Sequence, residues 1–133
     1  MTRDADRPTA VMHIGEVAAR TELSLRSLRH WEEVGLLTPS GRTEGGFRLY
    51  TEHDVDKILF IRRMKPLGFS LEQMKDVLAD VEALEDPTAD PAERAAAAAR
   101  LEVIHDDAVR RRAALVRQVE MADEFIGRLT ART

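Results

Sequence analysis

From residue 92 to 129 the chain runs without proline and with one glycine, Gly127, through an alanine-rich, charged stretch that opens at Asp90-Pro91-Ala92-Glu93. Alanine is the strongest helix former and proline is tolerated at a helix start, so the stretch predicts one long helix. Its length would be about 57 Å at ~1.5 Å per residue, more than one small domain can cover. Such a helix needs a further partner. A seven-residue repeat places Leu101, Ala108, Leu115, Ala122 and Leu129 at one seam position, while Ile104 and Phe125 share the other with Arg111 and Gln118. Val119 and Ile126 widen the stripe. The pattern favours a dimeric coiled coil over residues 92–130; the alternative is a lone amphipathic helix folded back on the first domain.

The preceding residues have a different character. Residues 1–11 are polar, contain Pro8, and read as a disordered leader. Ile14, Val17 and Ala18 form one face of a short helix that ends near Arg20 or Thr21, and Ser24 is a good N-cap for a second helix carrying Leu28 and Trp31 and closed by Gly35. Two short helices across a tight corner predict a helix-turn-helix. Pro39, Gly41, Gly45 and Gly46 then forbid helix, whereas Phe47-Arg48-Leu49-Tyr50 alternates, which predicts a small β-hairpin, or wing. Thr51 with Asp54 makes an acidic capping box for a third helix, Pro66-Leu67-Gly68 stops it, and Ser70 with Gln73 opens a fourth, with Phe69 placed as its staple. The expected organisation is a leader (1–11), a winged helix-turn-helix domain (12–82), an acidic linker with two prolines (83–91) and the long helix. The fold class is mainly α.

If Leu28 and Trp31 face inward, Arg26, Arg29, His30 and Glu33 lie on the solvent side of the second helix. An arginine donates two hydrogen bonds to guanine O6 and N7, and a helix fits the DNA major groove, so this surface suits base reading. An exposed Arg29–Glu33 pair that only stabilises the helix is the competing reading. On the hairpin, Arg42 and Arg48 suit phosphate contacts. Tyr50 projects with Arg48, unless it packs on the third helix instead. Arg62, Arg63 and Lys65 are better explained as cations opposing a helix dipole.

Residues 13–80 contain, in order, IGEVA, SLRSLRHWEEVGLL, RTEGGFRLY and IRRMKPLGFSLEQM. These motifs and their spacing resemble the MerR family of bacterial transcription regulators. The resemblance covers about half the chain; the rest is similar only in having a long helix, which in that family forms an antiparallel coiled coil in a homodimer. It implies that Arg26 reads bases, that Arg29, His30 and Trp31 lie near the DNA backbone, and that Arg42, Arg48 and Tyr50 belong to the wing. Three positions depart from the family pattern. His30 stands where Tyr is more frequent, Glu22 where the turn usually has Gly, and His13 is a poor helix cap.

Other classes are excluded or disfavoured. With no cysteine there is no disulfide, thiolate metal site, iron–sulfur cluster or thiol sensor within these 133 residues. The four histidines are dispersed, without an i, i+4 ligand pair, so no metal or other cofactor is expected. No catalytic motif stands in a recognisable context, so no enzyme is expected, and no apolar run approaches a membrane span. The expected protein is a cytoplasmic homodimer. It would bind a near-palindromic operator in double-stranded promoter DNA, distort that DNA, and act on RNA polymerase indirectly, with a small-molecule effector an open question. Two alternatives remain: a DNA-architectural or excisionase-like protein, and a coiled-coil interaction module with a vestigial helix-turn-helix.

Overall fold

A computed structural model of the chain describes residues 11–132. Its order is β1 (Val11–His13), α1 (Ile14–Thr21), α2 (Leu25–Glu33), β2 (Gly41–Arg42), β3 (Arg48–Thr51), α3 (Glu52–Met64), α4 (Leu71–Glu85) and α5 (Pro91–Arg132), with a 3₁₀ turn at Lys65–Leu67. Contacts divide these elements into two units that part between Met64 and Lys65. That division differs from the expected domain at 12–82: α4 groups with α5, because the two helices pack on each other.

In the first unit β1, β3 and β2 form an antiparallel sheet in that order. β1 was not expected. Val11 belongs to it, so the leader does not extend to residue 11, and the rest of that expectation lies outside the described residues. Three residues with no period of their own become a strand because β3 supplies their hydrogen-bond partners, pairing Met12 with Tyr50 and His13 with Leu49. Met12 and Tyr50 thereby point together into a core that also holds Val17, Leu28, Trp31 and Ile58. The buried carboxylate of Asp54 accepts from the Thr51 backbone N–H at 2.9 Å and from the Ser40 hydroxyl at 2.5 Å, while the Asp54 N–H donates to Thr51 Oγ1 at 3.2 Å. This is the acidic capping box, with Ser40 added to tie the wing's approach to the start of α3.

The corner between α1 and α2 carries a cost. Glu22 caps α1 with φ +56° and ψ +36°, the left-handed region, and is the one non-glycine residue with positive φ among those described. A side chain there is disfavoured by roughly 1–2 kcal/mol, partly balanced by the extra chain entropy that glycine loses on folding. Its pairing with Arg62 at 3.8 Å joins two largely exposed groups and is worth little. Glu22→Gly is therefore expected to stabilise the protein by up to about 1 kcal/mol, read as a higher thermal midpoint by circular dichroism; an unchanged or lowered midpoint would refute the strain.

In the second unit Ser70 and Gln73 form a full capping box on α4, and Gly68 takes φ +79° just before it. α4 and α5 are joined by a short turn, residues 86–90, in which Asp86 accepts from the backbone N–H and the hydroxyl of Thr88. Asp80, nearly buried, receives a bidentate pair from Arg100 at 2.9–3.2 Å. Arg111 donates to the Leu67 carbonyl at 3.2 Å, pairs with Asp107 at 3.2 Å, and sits 4.3 Å above the centre of the buried Phe69 ring. Arg111 had shared a seam position in the heptad reading; here its charge is spent within its own chain. The same α5 face carries fully buried Ala97 and half-buried Leu101, Ile104 and Ala108. From Arg112 to Arg132 every residue is exposed, including Leu115, Val119, Ala122, Phe125, Ile126 and Leu129.

Candidate nucleic-acid interface

α2 begins at Ser24, whose hydroxyl oxygen accepts from the Ser27 N–H at 3.0 Å. Leu28 and Trp31 are buried on its inner side. Its outer side, with Leu25, Arg26, Arg29, His30 and Glu33, lines a shallow open groove of about 790 Å³. Among the described residues neither Arg26 nor Arg29 makes an ion pair or a hydrogen bond, so both guanidinium groups keep their full donor sets toward solvent. The Arg29–Glu33 pair that would have made this face merely self-stabilising does not form. Two unpaired guanidiniums and an imidazole on one helix face can donate to base edges or phosphate oxygens.

The wing is built differently. Its tip closes through Thr43 N–H to Phe47 O at 2.8 Å and Gly46 N–H to Thr43 O at 2.9 Å, with Gly46 at φ +86°. Arg48 Nε donates to Glu32 Oε2 at 2.5 Å, Arg42 Nη2 reaches Glu32 Oε1 at 3.4 Å, and Tyr50 OH lies 3.5 Å from Glu32 Oε2. The mostly shielded Glu32 carboxylate thus draws three wing donors onto α2. Its hydrogen bond raises the Arg48 pKa further, so Arg48 stays charged. Burial, then the adjacent Glu32 charge, pushes the Tyr50 phenol up to about 12, so Tyr50 stays neutral.

Arg26, Arg29 and His30 are exposed on one face, and Arg42 and Arg48 stand at the wing within reach of solvent. Trp31 and Tyr50 are not exposed in the same way. Trp31 is 4% exposed and Tyr50 fully buried, so their rings serve the core and do not face a ligand. Tyr50 lies opposite Met12 in the β1–β3 register, a pairing with a strand that the sequence reading did not expect. Sequence reasoning also missed Glu32. The available signal was its place one turn after buried Leu28, on the side of α2 that meets the wing.

A helix-turn-helix pair, a three-stranded sheet with a hairpin wing, and an outward cationic face define a winged helix-turn-helix protein. The profile of the MerR helix-turn-helix regulatory protein family matches residues 12–81, and that of the MerR DNA-binding region matches residues 55–118. The chain belongs to the MerR family. It is 43% identical over 68 residues to "Heavy metal-dependent transcription regulator 2" of Rhizobium meliloti, covering 51% of this chain and 46% of that protein. It is 45% identical over 65 residues to the regulator ZntR of Escherichia coli K12, covering 49% and 46%. The chain thus matches about half the length of these relatives. A MerR-family regulator from Bacillus cereus superposes with TM-score 0.63 at 26% identity, over 89% of this chain and 76% of that one. HiNmlR, a MerR-family regulator solved bound to promoter DNA, has the same fold, with TM-score 0.65 at 21% identity over 86% and 80%.

Proposed function

We propose that this protein is a sequence-specific DNA-binding transcription regulator that grips a near-palindromic promoter operator as a homodimer. The observation that carries the reading is the pair of unpaired guanidiniums, Arg26 and Arg29, on the outer face of a helix whose inner face is core. α2 enters the major groove, Arg26 reads bases, Arg29 and His30 meet the backbone, and Arg42 and Arg48 bring the wing to flanking phosphates. Trp31 and Tyr50 support this surface from behind. The exposed apolar face of α5 beyond Arg112 pairs with a second copy, aided by Leu101, Ile104 and Ala108 where α4 leaves them half-open. Two half-sites about 34 Å apart then match two copies of α2. The relatives named above are transcription regulators, which supports a regulatory role at promoter DNA; distortion of that DNA and an indirect effect on RNA polymerase complete the proposal.

The heavy-metal dependence in one relative's name does not transfer through thiolates, since these 133 residues contain no cysteine. We read the protein as a non-catalytic cytoplasmic regulator; no helix among the described residues is long and apolar enough to cross a membrane. The test is fluorescence anisotropy on the DNA upstream of its own gene against a scrambled duplex, at two salt concentrations. A marked preference for the upstream DNA supports the reading. Equal, strongly salt-dependent binding to both points to an architectural protein, and no binding to either to an interaction module.

Glu32 allows a test in which electrostatics and geometry predict opposite signs. Removing a carboxylate near DNA would by charge alone tighten binding. If Glu32 instead holds the wing to α2, Glu32→Gln weakens binding by roughly threefold to tenfold. A tighter complex would refute the positioning role.

A further inference from the structure

The start of α2 presents four side chains in sequence, Ser24 to Ser27. The two serine hydroxyls bond to each other at 3.0 Å, and Ser24 Oγ also accepts from the Ser27 N–H at 3.0 Å, so both serve the cap. Arg26 has no partner among the described residues. Leu25, the first residue of the helix, is 39% exposed and lines the α2 groove together with Arg26 and Arg29. The base-reading scheme above gives Leu25 no part. Among the described residues, the helices of the first unit expose one other large apolar side chain, Phe60 on α3, and it does not line this groove. The remaining lining residues, Arg26, Arg29, His30 and Glu33, are all polar. An aliphatic side chain at the N-terminal end of such a groove fits a ligand that sets an apolar patch directly beside a polar one.

The DNA major groove offers one patch of that kind. Guanine, adenine and cytosine are told apart there by hydrogen-bonding atoms, whereas thymine carries a C5 methyl group beside its O4 acceptor. Leucine neither donates nor accepts, so a cytosine amino group or a purine acceptor pressed against it loses water and gains no partner. A thymine methyl has no such cost. The N-terminal residues of a recognition helix are the ones that meet base edges, and Leu25 and Arg26 are neighbours at that end. We infer that Leu25 reads the C5 methyl of a thymine adjacent to the base that Arg26 contacts, so that operator recognition depends on a methyl group as well as on a guanidinium. The inference rests on the DNA-binding reading above; it adds a specificity-determining residue and makes binding sensitive to pyrimidine C5 methylation.

The test uses the full chain on a duplex selected from a random-sequence pool, with each thymine replaced in turn by deoxyuridine, which removes the C5 methyl and leaves every hydrogen-bonding atom in place. Wild type is expected to lose affinity by about fourfold at one thymine in each half-site, the worth of one buried methyl group. Because this arm changes only the DNA, it does not depend on how a protein variant folds. The salt dependence stays unchanged, since no charge is removed. Leu25→Ala is expected to bind the unsubstituted duplex about as weakly as wild type binds the deoxyuridine duplex, and to be indifferent to the methyl at that thymine while keeping the wild-type response at every other. In the opposite direction, a cytosine placed at the same position weakens wild-type binding, and its 5-methyl derivative recovers part of the loss; Leu25→Ala recovers none. A wild type indifferent to deoxyuridine at every thymine, or a Leu25→Ala protein that keeps the wild-type response at the same thymine, would overturn the inference while the selected sequence and its dependence on Arg26 stand. A wild type that selects no sequence would overturn the DNA-binding reading as well.

Discussion

Arg26→Ala is expected to abolish discrimination between the operator and a scrambled duplex. A bidentate arginine–guanine contact is worth about 1–3 kcal/mol, and a homodimer makes it twice, so operator affinity should fall by about 2–6 kcal/mol. On scrambled DNA the same change removes only charge, and the loss is much smaller. The contrast arises because Arg26 has no partner among the described residues: no intramolecular ion pair is broken by its removal, and none competes with the base. Anisotropy titrations of both proteins on both duplexes measure the four affinities. An equal loss on the two duplexes would reassign Arg26 to the backbone, and with it the base-reading role of the α2 face.

Leu115→Asp should convert a dimer into a monomer. Leu115 lies on the α5 face that continues, past Arg111, from the half-buried Leu101, Ile104 and Ala108, and it is 38% exposed. In a seam the substitution buries one unpaired carboxylate per copy, at several kcal/mol each, so the dissociation constant should rise by about 10³ or more. Light scattering at micromolar concentration should then read twice the 15.0 kDa chain mass for wild type and 15.0 kDa for the variant. Operator binding should fall with it, because a single half-site keeps only half the contacts. Val103→Asp is the control: Val103 is 66% exposed and lies on a different side of α5 from that seam, so the mass should stay that of the dimer. A wild-type mass of 15.0 kDa would instead favour a helix that acts alone.

Local chemistry was legible in the sequence wherever it closes over a few residues. The Ser70–Gln73 box, the Thr51–Asp54 pair, the Ser24 cap and the stop at Gly68 each need only neighbours three or four positions away, and each formed. The outer face of α2 was legible for the same reason: two buried residues three apart set which side Arg26, Arg29 and His30 occupy. Glu22, flagged as standing where a glycine is usual, does take the left-handed conformation, since the corner geometry overrides the residue's preference.

What tertiary structure alone decided are the places where a residue's role depends on a partner far along the chain. Val11–His13 is a strand only because Leu49–Thr51 lies beside it, and that pairing sets Met12 beside Tyr50 in the core. Glu32 looks like one more surface charge in a row of polar residues until the wing folds back and delivers Arg42, Arg48 and Tyr50 to it. Arg111 fits a heptad position by count, yet the Leu67 carbonyl and the Phe69 ring claim it from 44 and 42 residues away. Sequence periodicity determined which elements form and which faces are apolar, because helical and strand periods are short. Which polar groups are neutralised within the chain and which stay open to a ligand is set by contacts across the fold, where one carboxylate or carbonyl decides whether a given arginine serves the fold or the DNA.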